Sequence, residues 1–170
     1  MPVQRLNHAV LYVRDVARSV AFYRDVLGFR AVAGIPDRAA FLQAEGSSND
    51  HDLGLFAIGP DAGAATAGSS TVGLYHLAWE VDTLDELARI RTALNAAGAL
   101  VGASDHGSTK ALYAKDPDGL EFEVSWLVPA DLLDDGSRTM RTAPLDLDAE
   151  IARYGGSTPG GIGVSVPARG

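Results

Sequence analysis

The fold is decided by the stretch Tyr113-Ala-Lys-Asp-Pro-Asp-Gly-Leu-Glu-Phe-Glu-Val-Ser-Trp126, which predicts a strand end, a tight turn and a new strand. In the turn, residues 116–119 (Asp-Pro-Asp-Gly), Pro presets φ at the second position and Gly supplies a positive φ. The strand that follows alternates, so that its apolar residues face one way and Glu121, Glu123 and Ser125 face the other. Two acids therefore share one face, which is typical either of a solvated strand or of an acid that enters a polar cavity.

Composition limits the classes of partner. The chain has 170 residues, enough for one domain with a substantial core, and its net charge is −8 without a basic cluster. That charge argues against nucleic acid or an anionic membrane as a partner. The absence of a long apolar run and of a signal-peptide pattern predicts a cytoplasmic protein. Because the sequence has no cysteine, a metal would need carboxylates or the four histidines, His8, His51, His76 and His106.

The first 60 residues predict the element order β-α-β-β-β. Residues 6–13 alternate and are rich in β-formers, so they form a strand that carries His8. Asp15 caps a helix over residues 16–27, and Gly28 ends it. Three further strands are predicted at residues 29–33, 39–44 and 52–58.

The same order recurs in the second half of the chain. Residues 74–81 form a strand that carries His76, and a helix over residues 84–97 ends at Gly98. Three further strands are predicted at residues 100–103, 111–114 and 120–127.

An internal repeat is the most informative feature of the chain. Landmarks recur at nearly the same interval, namely His8 and His76, Gly28 and Gly98, and Pro60 and Pro129. The repeat predicts an α+β fold in which two βαβββ modules, residues 5–60 and 73–129, are joined by a linker at 61–72. We expect the modules to pair as one half-open barrel around a cavity, in a domain over residues 1–129. Residues 130–170 predict a C-terminal extension with a short helix near 144–154 and a mobile tail.

The repeat also gives a register for the last strand of each module. Counting back six residues from each closing proline aligns Glu123 with Gly54. The shared cavity then offers His8, His76 and Glu123, with a gap at the fourth symmetric position. Two histidines and one carboxylate predict a metal centre with open positions, a set that suits Fe(II) binding a chelating substrate and dioxygen.

Several segments resemble the vicinal oxygen chelate superfamily, which groups glyoxalase I, bleomycin-resistance proteins and type I extradiol dioxygenases. They occur in order over about residues 5–128 and are Leu6-Asn7-His8-Ala9-Val10, Phe22-Tyr23 through Gly28-Phe29, Tyr75-His76-Leu77-Ala78, and the turn 116–119 with Glu123. Among its branches, the chain is most similar to the extradiol, catechol 2,3-dioxygenase-like one. That resemblance implies Fe(II), with Mn(II) or another divalent metal as the alternative, held by His8, His76 and Glu123.

The resemblance also implies roles for three active-site residues. His51 lies in a segment that resembles the branch's His-Asp motif, whose histidine is an acid–base. Tyr113 and His106 correspond to the residues that contact the bound catecholate. The chain departs from the branch at Leu120, where an Asn is usual. It also has a single pair of modules where many catechol dioxygenases have two.

The implied function is extradiol ring cleavage of a small aromatic diol by O₂. Two alternatives stay open. One is another metal-dependent enzyme of the superfamily, an isomerase, lyase or epimerase, although Gly54 stands where glyoxalase I supplies a fourth acid ligand. The other is a small-molecule-binding resistance protein, which would not need the three metal residues. Trp126 and the tail suggest a homo-oligomer, a dimer, and Glu121 has no assigned role.

Overall fold

The computed structural model describes residues 2–3, 5–66, 70–138 and 141–161, apart from the side chain of Arg138. These residues form two compact units. The first contains the described residues up to 65 together with the turn Asp116–Gly119, and the second contains those of 66–115 and 120–161. Residues 67–69 of the predicted linker and residues 139–140 and 162–170 of the predicted extension lie outside the described residues.

The first unit has the predicted order β-α-β-β-β. Its elements are β1 (Ala9–Val13), α1 (Val16–Leu27), β2 (Arg30–Ile35), β3 (Ala39–Gln43) and β4 (Leu53–Ala57). The strands form one sheet in the order β1-β4-β3-β2, in which β1 and β4 are parallel and the other neighbours are antiparallel. Asp15 caps α1 by accepting a hydrogen bond from the Arg18 N–H, and Gly28 ends the helix with φ of 74°.

The second unit repeats this arrangement. Its elements are β5 (Leu77–Glu80), α2 (Leu84–Ala96), β6 (Leu100–Asp105), β7 (Thr109–Lys115), β8 (Glu121–Leu127) and, later in the chain, β9 (Ala143–Pro144). The sheet order is β5-β8-β7-β6-β9, and the parallel pair β5–β8 matches β1–β4. The α+β class and the two βαβββ modules are therefore confirmed, while their pairing as a half-open barrel stays a prediction.

Each sheet buries one face beneath its own helix. In the first unit, α1 contributes Val16, Tyr23 and Val26 to a core with Leu42, Leu53 and Leu55 of the sheet. In the second, the helical spacing of Leu84, Leu87, Ile90 and Leu94 places all four on the side that meets Phe122 and Val124. No helix in the described part of the chain has the length and apolar character needed to cross a membrane.

The C-terminal extension adds a 3₁₀ turn, Ala130–Leu132, and two helices, α3 (Asp135–Arg138) and α4 (Leu147–Tyr154), beside β9. Residues 155–161, at the start of the predicted tail, are hydrogen-bonded to the second unit. The Asp85 N–H donates to the Gly156 carbonyl at 2.9 Å, and the Gly160 N–H donates to the Asp82 carbonyl at 2.7 Å.

Trp126 lies beneath this segment and donates its indole N–H to the Thr158 carbonyl at 3.3 Å. A Cβ on Gly160 would lie 2.5 Å from Trp126 Nε1, so only glycine permits this approach. The indole of Trp126 is fully buried by its own chain, so Trp126 is a core residue and does not support the expectation of a dimer.

Candidate metal-binding and catalytic residues

The strand registers confirm the correspondence between Glu123 and Gly54. In the first unit Val10 pairs with Gly54, and in the second Ala78 pairs with Glu123. Val10 and Ala78 each follow the histidine of their own module by two residues. The parallel pairing thus places Glu123 and Gly54 at equivalent positions of the repeat.

The space at Gly54 is occupied by apolar side chains. A Cβ added there would lie 3.4 Å from Val10 Cγ2 and 3.7 Å from Phe41 Cδ1, which are ordinary packing distances. The first module therefore presents a small apolar surface where the second presents a carboxylate. Because glycine has no side chain, position 54 cannot supply a fourth acidic ligand.

Both predicted histidine ligands lie one residue before a strand, and the prediction that the strands carry them is wrong. Ladder pairing begins with Ala9 opposite Leu53 in β1 and with Leu77 opposite Phe122 in β5. The two histidines therefore lie just before β1 and β5, outside the ladder of backbone pairs that each sheet forms.

In the first unit, His8 and His51 are neighbours, with ring centroids 4.5 Å apart. The Nδ1 atom of His8 lies 2.7 Å from the Asn7 side-chain oxygen, which can only accept a hydrogen bond. Nδ1 therefore carries the proton, and the Nε2 lone pair of His8 is left for a ligand. His51 also packs edge-on against Phe41 at 5.1 Å.

The loop that carries His51 is organised by Asp52. One Asp52 oxygen accepts from the Ala44 N–H at 2.9 Å, and the other accepts from the Ser47 hydroxyl at 2.7 Å and the Asn49 amide at 2.8 Å. The Asn49 amide also donates to the Asn7 carbonyl at 2.8 Å. Asn49 and Asp52 thus hold the His51 loop against the residue that precedes His8, a role that sequence reasoning missed.

In the second unit, His76 faces Glu123. The Nε2 atom of His76 lies 3.3 Å from Glu123 Oε2, and both side chains are largely buried. An imidazole nitrogen and a carboxylate oxygen are both ligand types for divalent metals, so this pair would supply two ligands if a metal were bound. The other ring nitrogen, Nδ1, is buried without a hydrogen-bond partner among the described residues.

Tyr113 and His106 extend this cluster. Tyr113 lies directly across the ladder from Glu123, and its hydroxyl is 2.8 Å from His106 Nε2. The ring of Tyr113 also lies 5.9 Å from that of His76. Burial raises the pKa of the Tyr113 hydroxyl, and the charge and hydrogen bonding of Glu123 raise it further, so the phenol stays protonated at neutral pH.

The two acids of β8 have different surroundings. Glu121 Oε1 pairs with Lys115 Nζ at 3.3 Å, and the side chains are 32% and 48% exposed. Glu123, two residues later, is 13% exposed and faces His76. Glu121 is therefore part of a solvent-facing charge pair, and the structure separates the acid that enters a polar cluster from the acid that does not.

The turn before β8, which belongs to the first unit, makes hydrogen bonds to other residues of that unit in addition to those within the turn. Gly119 has φ of 85°, and Asp116 accepts from the Asp118 N–H at 2.9 Å, as the turn chemistry predicts. In addition, Asp118 accepts from the Arg14 N–H at 3.0 Å and from the Arg14 guanidinium at 2.8 Å. Tyr23 donates its hydroxyl proton to Asp116 at 3.2 Å. The two aspartates thus anchor the turn that leads into β8.

The predicted site residues fall into two groups, one in each unit. One consists of His8 and His51, and the other of His76, Glu123, Tyr113 and His106. Over the described residues, no three histidine or acidic side chains form a cluster suited to a metal ion. The predicted triad draws on both units, and it stays a prediction.

Residues 5–124 match the model of the Glyoxalase/Bleomycin resistance protein/Dioxygenase superfamily. The chain belongs to this superfamily. It is 31% identical over 153 residues to the catechol-2,3-dioxygenase of Bacillus subtilis (strain 168), covering 88% of this chain and 52% of that protein. It is 32% identical over 126 residues to metapyrocatechase 2 of Cupriavidus necator, covering 72% of this chain and 36% of that protein. The chain thus spans about half of the first relative and about a third of the second.

Structural similarity agrees with the family. The crystal structure of a glyoxylase/bleomycin resistance protein/dioxygenase domain from Frankia sp. EAN1pec superposes with a TM-score of 0.61 at 22% identity. The match covers 73% of this chain and 92% of the Frankia chain. At this identity the likeness concerns the fold alone, which is the fold built above from the two modules.

Proposed function

We propose that this protein is an Fe(II)-dependent extradiol-type dioxygenase that cleaves the ring of a catecholic substrate. The observation that carries the proposal is the second-unit cluster, in which Glu123 faces His76 Nε2 and the protonated Tyr113 hydroxyl stands beside the carboxylate. Gly54 adds support, because a three-ligand set leaves the metal more open positions than a set with a fourth acid. The names of the two relatives, catechol-2,3-dioxygenase and metapyrocatechase 2, favour the same reaction class.

His8, His76 and Glu123 are the proposed ligands. The donor set fits a divalent metal, since His8 keeps the Nε2 lone pair free and His76 directs Nε2 towards a carboxylate. Fe(II) is the proposed ion, with Mn(II) or another divalent metal as the alternative. When bound, the metal would acidify the diol and hold it together with O₂ within reaction distance.

The remaining site residues accept a proton from the substrate or orient the substrate. We propose that His51 accepts the proton of a substrate hydroxyl, because its imidazole is half-buried next to the proposed ligand His8 and imidazole is the side chain most often used as a general base. We propose that the Tyr113 hydroxyl contacts a substrate oxygen and that His106 orients this hydroxyl through Nε2, 2.8 Å away.

The proposed partners follow from this chemistry and from charge. They are a small aromatic diol and O₂, and neither nucleic acid nor a membrane is a proposed partner of a chain with net charge −8. A homo-oligomer, a dimer, and a cytoplasmic location remain proposals from the sequence.

A ring-cleavage assay tests the proposed function. Protein loaded with Fe(II) under anaerobic conditions and then mixed with catechols in air is expected to consume O₂ and to form the yellow product of extradiol cleavage. A panel of substituted catechols covers the unknown ring substituents. If the protein binds Fe(II) but none of the panel gives O₂ uptake or colour, the dioxygenase proposal fails and another metal-dependent reaction of the superfamily gains support.

His51→Ala is expected to retain the metal and to lower kcat by about 100-fold, the usual range for losing a general acid–base. Metal analysis and steady-state kinetics on the same preparation separate the two effects. His51→Phe is the matched variant, since a phenyl ring preserves the packing against Phe41 but cannot exchange a proton. An unchanged kcat in His51→Phe would remove His51 from proton transfer and leave it a packing role.

A further inference from the structure

We define residues 141–154 as the C-terminal segment. Its first residues contact the edge of the His106 ring that faces away from Tyr113. The Nδ1 atom of His106 lies 3.0 Å from the Arg141 carbonyl oxygen and 3.4 Å from the Thr142 hydroxyl. The opposite nitrogen, Nε2, lies 2.8 Å from the Tyr113 hydroxyl. The imidazole is therefore held at both nitrogens, by the segment on one side and by the active-site tyrosine on the other.

The segment is fixed to β6 and β7 by a chain of charges. The Arg141 guanidinium donates to Asp105, the residue immediately before His106. Lys110 donates to the other Asp105 oxygen at 2.6 Å. Lys110 Nζ also lies 3.0 Å from Glu150 Oε2 in α4, close enough for a charge pair although the angle does not suit a hydrogen bond.

The charged side chains of this chain are largely buried. The Lys110 side chain is 0% exposed, and those of Asp105 and Glu150 are 9% and 13% exposed. The Coulomb attraction between opposite charges is stronger where water is excluded than at the surface. The ring of Tyr154 lies 5.7 Å from Lys110 Nζ and closes the other side.

The backbone adds a second attachment. Strand β9 pairs with the end of β6, with Ala143 opposite Asp105 and Pro144 opposite Ser104. The pairing begins two residues after Arg141, so the sheet brings the segment to this edge of β6, while the Arg141 side chain sets the final position of the Arg141 carbonyl. The carbonyl at His106 Nδ1 is thus a fixed acceptor rather than a chance contact.

We propose that the C-terminal segment is a positioning element that keeps a proton on Nδ1 of His106 and confines proton exchange by this histidine to Nε2, on the Tyr113 side. A carbonyl oxygen can only accept, so the nitrogen that faces it must carry hydrogen. The neutral ring is then the Nδ1–H tautomer, and its Nε2 lone pair accepts from the Tyr113 hydroxyl.

The expected effect on turnover depends on the proposed dioxygenase function, whereas the expected tautomer of His106 does not. With Nδ1 occupied, His106 can orient the Tyr113 hydroxyl or take its proton, but it cannot pass a proton to the segment. Arg141 is a positioning residue in this scheme, and Lys110 stabilises the anchor on which Arg141 depends.

Nitrogen-15 spectra of the histidine rings test the proposal, because protonated and unprotonated ring nitrogens have well-separated shifts. At about pH 8, where imidazoles in water are neutral, the full-length wild-type protein is expected to show His106 with hydrogen on Nδ1. Arg141→Ala, which frees the carbonyl from its anchor, is expected to shift His106 towards the Nε2–H tautomer. Arg141→Lys, which keeps the charge beside Asp105, is expected to restore Nδ1–H.

Arg91→Ala is the matched control, since Arg91 reaches the same segment through Asp148 at 3.2 Å but does not contact Asp105. It is expected to leave the His106 spectrum unchanged. Hydrogen on Nε2 in the wild-type protein would overturn the proposal without any variant, as would an Arg141→Ala protein that keeps Nδ1–H. If the ring-cleavage activity is present, Arg141→Ala is also expected to lower kcat by about 10-fold or more with little change in KM.

Discussion

Glu123→Gln is expected to release the metal, whereas Glu121→Gln in the same strand is expected to keep it. The two glutamates are two residues apart on one face of β8, so both substitutions remove one charge from the same surface. Only Glu123 faces a histidine nitrogen at 3.3 Å, while Glu121 faces Lys115. The loss of affinity for Fe(II) in Glu123→Gln should exceed the 10- to 100-fold that is typical of losing an outer partner of a ligand.

The measurement is iron content after desalting under anaerobic conditions, with the wild-type protein and both variants loaded side by side. Gln preserves the shape of the side chain and can still contact His76, so a loss of iron reports the missing negative charge rather than a cavity. Should Glu123→Gln retain one iron per chain, Glu123 leaves the ligand set. Should Glu121→Gln lose iron to the same extent, general charge on the face of β8 would explain both results.

The repeat made most of the fold predictable. Alternation, helical spacing and the capping residues identify each element. Each element predicted in one module is also supported by its counterpart in the other module. The register of β8 could be predicted because strand side chains alternate with a period of two, so that one landmark, Pro129, sets the face of every residue. Strands β1 and β5 begin three residues later than predicted, because the alternation in the sequence starts before the ladder hydrogen bonds do.

The rest depends on contacts between residues that are distant in the chain. The local sequence predicts only a turn role for Asp118, and nothing local indicates its bond to Arg14, 104 residues away. Lys110 did carry a signal, since it shares a face of β7 with the buried Leu112 and Ala114. A lysine on a core face contradicts the local pattern, and such conflicts tend to mark special sites. The pattern could not reveal the partners, because Glu150 lies in the extension beyond the repeat.

Lys110→Ala is expected to lower the free energy of unfolding by about 3–5 kcal/mol, the cost of removing one partner from a buried charge pair. Asp105 and Glu150 would remain in a buried setting without their shared cation. Lys115→Ala is the matched control in the same strand, and loss of its exposed pair with Glu121 is expected to cost no more than about 1 kcal/mol. Urea unfolding of both variants at neutral pH gives the two values, and similar small losses would contradict the buried network.

The pH dependence separates the charge of Lys110 from its packing. Burial disfavours the charged form of Asp105, but hydrogen bonds from Lys110, the Gly107 N–H and Arg141 outweigh it, so the pKa of Asp105 lies below its usual value. A lowered pKa in the folded state stabilises the protein above the unfolded value of about 3.9, and that stabilisation is lost as pH falls through the folded value. In Lys110→Ala the carboxyl has lost a principal donor and gains stability when protonated. The difference between the two proteins should therefore be largest near neutral pH and shrink in acid, whereas a constant difference would mean that Lys110 acts through packing alone.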